Sequence, residues 1–344
     1  MPVGLAQLDL SRLCGESDEG EDARVKLIIQ IPCYNEAETL PVTLADLPAD
    51  VAGFDRVETL VIDDGSTDGT AEIAARHRAT HTLRLQGHCG LAAAFAAGLE
   101  HAVGLGADVI VNTDGDNQYR GACVADLVRP ILEGAAGMVV GDRQVNTIPH
   151  FSILKKLLQR LGSRVVRWAS GTDVPDATSG FRAFTRDTAL RLAMFSGYTY
   201  TLETIIQAGK KGIPVASVPV ATNPKLRESR LMRSLFHYLT SSTGTILRIF
   251  LMYEPLRVFL TLGILPFLGG LFLLARFMAF YIGGQGQGHI QSLIAAAILI
   301  VLGLQAFLLG LLADLIARNR QLSEDLSYRL KKITLGGGQP GTGT

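Results

Sequence analysis

A chain of 344 residues with 32 basic and 32 acidic side chains carries no net charge at neutral pH, and it shows no basic arm or stripe of the kind that grips nucleic acid. Hydrophobic residues make up 48% of it and its mean hydropathy is +0.27; the apolar excess gathers at the C-terminal end, so length and composition predict about two domains, one of them in a membrane. The four cysteines, at 14, 33, 89 and 123, form no Cys-x-x-Cys pair, which argues against a zinc ribbon or a disulfide scaffold and suits a reducing cytosol.

Residues 1–23 lack the basic region and apolar core of a leader, contain Glu16-Ser-Asp-Glu-Gly-Glu-Asp22, and read as a loose acidic tail. Val25–Ile31 is a β-rich run that Pro32 should end, and Glu36–Leu47 reads as a helix. Cys33 reads as a small buried thiol rather than a nucleophile. A second strand, Val57–Ile62, enters Asp63-Asp-Gly-Ser-Thr-Asp-Gly-Thr70. There Gly65 permits a tight turn, and Ser66, Thr67 or Asp68 caps the next helix. Strand, acidic turn, helix, strand, acidic turn is a βαβ nucleotide-binding layout. His77 and His81, one helical turn apart without a third ligand, read as a solvated helix face. Leu83–Gln86 is a short strand, and Gly87-His-Cys-Gly90 opens the Ala-rich helix 91–103.

The run Ala107–Val111 then delivers Asn112-Thr-Asp-Gly-Asp-Asn-Gln118 to a strand's C-terminal end, the edge at which open α/β sheets bind ligands. Asp114, Asp116 and Gln118 present hard oxygen donors suited to Mg²⁺ or Mn²⁺ carrying a substrate phosphate, although an Asp-x-Asp alone also marks ordinary acidic loop ends. Met138–Val140 is a strand running to Gly141-Asp-Arg143. Residues 151–169 read as a helix whose Lys155, Lys156, Arg160, Arg164 and Arg167 form a solvated basic face; a phosphate contact for Arg160 or Arg164 is the lesser reading. Asp176-Ala-Thr-Ser-Gly-Phe-Arg182 follows a Gly/Pro loop, Thr201–Lys211 is a helix, Ile213–Val220 is the last strand, and Asn223–Arg230 is a polar, cationic loop.

Beyond Arg230 the pattern changes. Leu231, Leu235, Leu239, Ile246, Ile249 and Phe250 recur near helical spacing among Arg233, His237 and Arg248, the signature of an interfacial helix whose cations meet lipid phosphates. Val258–Tyr281 and Ile290–Ala313 each reach the roughly 20 residues that cross hydrocarbon. Arg257 precedes the first run, and Arg318, Arg320, Arg329, Lys331 and Lys332 follow the second. Positive charge therefore places both ends in the cytoplasm and the glycine-rich linker 283–288 outside.

Five motifs occur in order: Pro32-Cys-Tyr-Asn-Glu36, Val61-Ile-Asp-Asp-Gly-Ser-Thr-Asp68, Asp114-Gly-Asp116 with Gln118, Gly141-Asp-Arg143 and Ser179-Gly-Phe-Arg182. In this the chain resembles the family 2 glycosyltransferases of the GT-A fold, and more closely the group that makes dolichyl- or polyprenyl-phosphate hexoses. The resemblance runs from Val25 to Arg233 and on into the membrane tail. It implies an α/β class with a Rossmann-like, GT-A nucleotide-sugar domain over 24–230, an amphipathic juxtamembrane helix over 231–253, two transmembrane helices over 254–320 and a cytoplasmic tail over 321–344. It also implies a UDP- or GDP-hexose donor, a polyprenyl phosphate acceptor, an inverting single displacement and a multi-pass membrane protein with a cytosolic catalytic domain. Oligomeric state stays open, a homo-oligomer included.

For such chemistry Pro32, Tyr34, Glu36 and Asp63 would frame base and ribose, a carboxylate being the usual anchor for their N–H and hydroxyl groups. Asp114 and Gly115 would lie against the donor, and Asp116 and Gln118 would hold the metal on its diphosphate. Arg143, Lys225 and Arg227 suit phosphate oxygens, though each arginine fits an ordinary surface role as well. Asp176 is the best candidate base, with an equal claim as a structural partner of Arg182. Family members often carry Asn where His88 stands. Three rivals remain. A processive polysaccharide synthase would carry Gln-x-x-Arg-Trp, whereas Arg164 occupies the Gln position before Arg167-Trp168. A catalytically silent membrane scaffold needs none of the retained acidic residues. A nucleotidyltransferase needs an N-terminal Gly-rich phosphate loop, which is not visible.

Overall fold

The structure, a computed structural model, describes residues 25–77, 79–144, 166–167, 170–194, 200–224, 251, 253–284 and 290–336. The chain divides into two compact units, Met1–Leu231 with Tyr328–Thr344, and Met232–Ser327.

In the first unit the apolar runs become strands because each is short, β-branched and followed by a turn. They are β1 (Lys26–Cys33), β2 (Arg56–Asp63), β3 (His81–Arg84), β4 (Val109–Asn112), β5 (Met138–Asp142), β6 (Arg182–Thr185) and β7 (Val215–Pro219). The helices between them are α1 (Leu40–Asp46), α2 (Thr70–Arg76), α3 (Leu91–Gly104), α4 (Val124–Leu132), α5 (Arg186–Arg191) and α6 (Thr201–Lys210). One sheet has the order β3-β2-β1-β4-β6-β5-β7. The β3-β2-β1-β4 part is parallel, β6 runs antiparallel between β4 and β5, and β7 is parallel to β5. Strand order reverses between β1 and β4, and such a switch point opens a crevice at the strands' C-terminal edge. Leu27, Ile29, Val111, Leu127 and Val139 pack the core beneath it.

Three details of the sheet differ from the sequence reading. Pro32 does not end β1; Pro32 pairs in register with Ile62 and Cys33 with Asp63. The reason is directional. Gln30 O accepts from Thr113 N on the β4 side, and Cys33 O accepts from Asp64 N on the β2 side. Alternation therefore aims the Pro32 nitrogen toward β4, where pairing has already stopped at Gln30–Asn112, so its missing N–H leaves no bond unmade. His81 lies on β3 and not on a helix with His77: α2 stops at Arg76, and His81 Nε2 sits 2.8 Å from Glu58 Oε2. Finally, β6 is a strand where the sequence reading had only a motif. Its four residues are too few to announce themselves, and pairing on both sides makes them a strand.

The second unit holds α7 (Pro255–Ile282) and α8 (Ile290–Gly336) as far as Ser327, and both helices are long and apolar enough to cross a membrane. Gly263 faces Phe307 and Gly303 faces Phe267, the small-against-large packing that lets apolar helices approach closely. Residues 321–336 were expected as part of a tail; they are helical to Gly336, consistent with the spacing of Leu322, Leu326 and Leu330. The expected interfacial segment 231–250 and most of the basic helix 151–169 lie outside the described residues.

Candidate active site

Four strand ends and the start of antiparallel β6 bring all five motifs to one edge. The first two motifs are stitched together. Asn35 N donates to Ser66 Oγ at 2.9 Å, Glu36 N to Thr70 Oγ1 at 3.0 Å and Ala37 N to Asp68 Oδ2 at 3.0 Å, while Asn35 Oδ1 accepts from Thr67 N at 2.9 Å. These bonds draw residues 35–37 out of helical geometry, which is why α1 starts at Leu40 and not at Glu36. Thr39 Oγ1 donates to Glu36 Oε2 at 2.7 Å, fixing a carboxylate that is nearly buried.

Asp63 is fully buried at the end of β2. Its Oδ1 accepts from Ser66 N at 2.9 Å, while its Oδ2 has no hydrogen-bond donor, with only the Arg84 guanidinium at 3.4 Å. A buried acceptor without a donor is costly, and this one sits at the crevice. Beside it, Asp64 accepts from Cys89 N, Gly90 N and His88 Nδ1 at 2.7, 2.9 and 2.9 Å. Tyr34 and His88 stack with ring centroids 3.9 Å apart. His88 thus makes a polar contact with Asp64. Burial, followed by the charges of Glu36, Asp63 and Asp114, pushes the Cys33 thiol well up, so it is a protonated, unreactive group.

At the end of β4 the chain turns around Asp116. Its Oδ1 accepts from Gln118 N at 3.2 Å, and Asn117 takes a φ of 55° to make the turn. Gly115 is required: a Cβ there would come within 2.9 Å of Cys33 Sγ. Burial, then the neighbouring Asp116 charge, pushes Asp114 up to about 7, against the pull of Arg143. The loop therefore holds more negative charge than it can comfortably carry. Among the described residues no cluster of three or more His, Cys, Asp or Glu is arranged to hold a metal; the expected pair is Asp116 with the amide of Gln118.

Across the crevice, Arg143 and Asp176 form a two-point ion pair, Nε to Oδ2 at 2.7 Å and Nη2 to Oδ1 at 3.0 Å. Nη2 of Arg143 also donates to Thr178 Oγ1 at 2.7 Å. Burial pushes the Asp176 carboxyl up, but the Arg143 charge and hydrogen bonds outweigh it and hold the group below the usual carboxylate range. A carboxylate in that state is a weak base. The structure joins the expected phosphate-reading Arg143 and the expected base into one unit. Arg182 is served instead by backbone and hydroxyl oxygens: Ser179 O, Ala177 O, Thr201 O and Thr204 Oγ1.

Three further residues shape the edge, and the sequence did not single them out. Tyr119 Oη accepts from Gly180 N at 3.1 Å. Asn112 Nδ2 donates to Gly180 O at 2.8 Å and to Tyr200 Oη at 2.9 Å. Tyr200 is stacked on Phe95 at 3.9 Å. Gly180 is thus clasped on both backbone groups, with its Cα pressed against Asp114: a Cβ would lie 2.8 Å from Asp114 Oδ1 and 2.9 Å from Tyr200 Oη. Tyr119 and Asn112 stand in or beside the acidic motif, so adjacency could have found them. Tyr200 is joined to the site by folding alone. Lys225, Arg227, Arg164 and Trp168 lie outside the described residues, and Arg167 pairs with Asp173 at 3.0 Å.

Residues 28–191 match the family model described as Glycosyl transferase family 2. Glycosyltransferase AglJ of Haloferax volcanii is 32% identical over 199 residues, which are 57% of this chain and 63% of that protein. The chain therefore spans less than two thirds of that relative's length. Undecaprenyl-phosphate mannosyltransferase of Micrococcus luteus is 28% identical over 60% of this chain and 88% of its own length. Polyprenol monophosphomannose synthase of Mycolicibacterium smegmatis is 27% identical over 64% and 88%. Among solved structures, glucosyl-3-phosphoglycerate synthase of Mycobacterium tuberculosis in complex with Mn²⁺, UDP and glucosyl-3-phosphoglycerate superposes with a TM-score of 0.52 at 20% identity, over 67% of this chain and 79% of that one. That likeness establishes the GT-A fold.

Proposed function

We propose, from the match of residues 28–191 to the family 2 glycosyltransferases, that this chain moves a hexose from a nucleotide sugar to a polyprenyl phosphate at a membrane, with inversion and with a divalent cation. The names of two relatives, an undecaprenyl-phosphate mannosyltransferase and a polyprenol monophosphomannose synthase, support the acceptor class. The observation that carries the reading is the crevice edge itself: an unmet acceptor on Asp63, crowded negative charge at Asp114 and Asp116, and an oriented guanidinium on Arg143.

Each group has a task. Pro32, Tyr34, Glu36 and Asp63 frame the base and ribose; the unmet Oδ2 of Asp63 takes an N–H or hydroxyl that the nucleotide brings. The excess charge at Asp114 and Asp116 fits a cation, which Asp116 and Gln118 would hold. Bound there, Mg²⁺ or Mn²⁺ would neutralise the diphosphate as the glycosidic C–O bond breaks. Gly115 keeps the loop flat against β1, and Asp114 faces the ribose. Arg143, aimed by Asp176, receives phosphate oxygens, and Lys225 and Arg227, a few positions after β7 in the sequence, are suited to the same task. The acceptor phosphate, with a second pKa near 6, is already anionic at neutral pH. It attacks without a strong base, so Asp176 serves as a positioning residue. The spans α7 and α8 hold the enzyme on the membrane that carries the lipid phosphate.

The test incubates purified protein with Mg²⁺ or Mn²⁺, a panel of nucleotide sugars and polyprenyl phosphate, and identifies the lipid by mass. One hexose added per lipid phosphate, lost in chelator, is the expected result. A growing polymer on the acceptor, or full turnover in excess chelator, overturns it.

A further inference from the structure

The last helix carries a face that a single chain leaves bare. α8 runs from Ile290 to Gly336 without a proline. Charged residues begin at Asp314, so the helix continues about 33 Å past its apolar run at 1.5 Å per residue. The end of this extension, from Tyr328, belongs to the α/β unit. Tyr328 Oη donates to Asp187 Oδ1 at 2.8 Å, Lys331 pairs with Glu100 at 2.5 Å, and Arg186 Nη2 donates to Leu335 O at 2.7 Å. The opposite side, about 180° away at 3.6 residues per turn, shows Leu315, Leu322, Leu326 and Ile333 with 63%, 66%, 61% and 73% of their surface exposed.

Their spacing is that of a coiled-coil seam. Ile298, Gln305, Leu312, Asn319, Leu326 and Ile333 recur every seven residues. Ile294, Val301, Leu308, Leu315, Leu322 and Arg329 do the same, each four residues before its counterpart in the first series. These are the a and d positions of a heptad. The a series is interrupted at Gln305 and Asn319. Pairing in register sets each amide against its own kind. A slip of one heptad buries both against leucine or isoleucine, so the pattern fits a parallel copy of the same helix better than any unrelated one.

The extension lies past the roughly 20 residues that cross hydrocarbon and carries Asp314, Arg318, Arg320, Glu324 and Asp325, so lipid tails do not cover it. The seam from Ile294 to Ile333, about 60 Å long and 10 Å wide, offers on the order of 600 Å² per copy, which reaches the size of a stable two-copy interface. We propose that α8 pairs in parallel with α8 of a second copy of this chain, Asn319 against Asn319, independently of which sugar or acceptor the enzyme uses.

The test is disulfide trapping in the full-length protein in membranes. Leu315→Cys, Leu322→Cys and Leu326→Cys should each give a covalent dimer on mild oxidation. Ala317→Cys and Gln321→Cys, on other faces of the helix, should give at least about tenfold less, with the parent chain as the baseline for native cysteines. Equal trapping around the helix, none at all, or a bond only to another protein overturns the proposal. Leu322→Glu combined with Leu326→Glu should convert a detergent-solubilised dimer to monomer by mass; a monomeric parent, or a double variant that stays dimeric, overturns it as well.

Discussion

The same residue types are used in opposite ways in the two units. In the sheet, Leu27, Ile28, Leu60 and Val61 are wholly excluded from the surface. In α7, Leu265, Phe272 and Ile282 expose 74%, 69% and 81% of theirs. A leucine is placed by its solvent: in water it must find other side chains, whereas among lipid tails exposure costs nothing and packing alone selects the buried face. Polar groups invert too. At the sheet edge they are buried, numerous and held by partners distant in sequence. In the hairpin the charges lie at the ends of the apolar runs, paired locally as in Arg318 with Asp314 at 2.9 Å.

That contrast can be broken at several points. The largest effect belongs to Asp116→Ala, which should lower sugar transfer by roughly 10³-fold or more while leaving the protein folded and membrane-bound, assayed by lipid product and by sedimentation with membranes. Next is a matched pair. Leu60→Ala should cost about 2–5 kcal/mol in unfolding free energy, and Leu265→Ala less than about 0.5 kcal/mol. Similar losses for both would mean that α7 is buried in something other than lipid. Third, Gly180→Ala should reduce kcat by about 10²-fold, because the added methyl displaces Asp114, with little change in melting temperature; wild-type kcat would show that the clasp is incidental.

The smallest effect concerns pH. Asp114 is pushed up to about 7 by burial and by Asp116. Between its ordinary value and 7 the folded protein keeps a proton that the unfolded chain releases, so its contribution to stability falls as pH rises through that window. Above 7 the cost of the buried charge is fully present. Metal-free Asp114→Asn should therefore be more stable than the parent at pH 8, by about 1 kcal/mol or more, and nearly equal to it at pH 4. A variant less stable at pH 8 would show that the carboxylate is already compensated within the protein.

Much of this was legible in the sequence because it is local. Asp63, Asp114 and Asp116 end apolar runs, and a strand end followed by an acidic turn can be read without knowing what lies opposite. The two spans were legible from length and hydropathy. What escaped depends on distant partners. β6 is a strand only because β4 and β5 flank it. Asp176 was read as a base, or as a partner of Arg182, from its nearness in sequence, whereas Arg143 reaches it across 33 positions. Tyr200 lies 88 residues from Asn112, and no motif connects them.

Pro32 shows how an opening in a sheet is kept open. Parallel strands with free donors and acceptors side by side tend to go on pairing, and each added rung would narrow the mouth between β1 and β4. Where the next rung would form, the chain supplies a ring in place of a donor. The width of the entrance is thus set by an atom that is missing. Any other residue at 32 would bring an N–H seeking a partner, either on β4 or in the crevice. A change there would alter who can enter before it altered what is done inside.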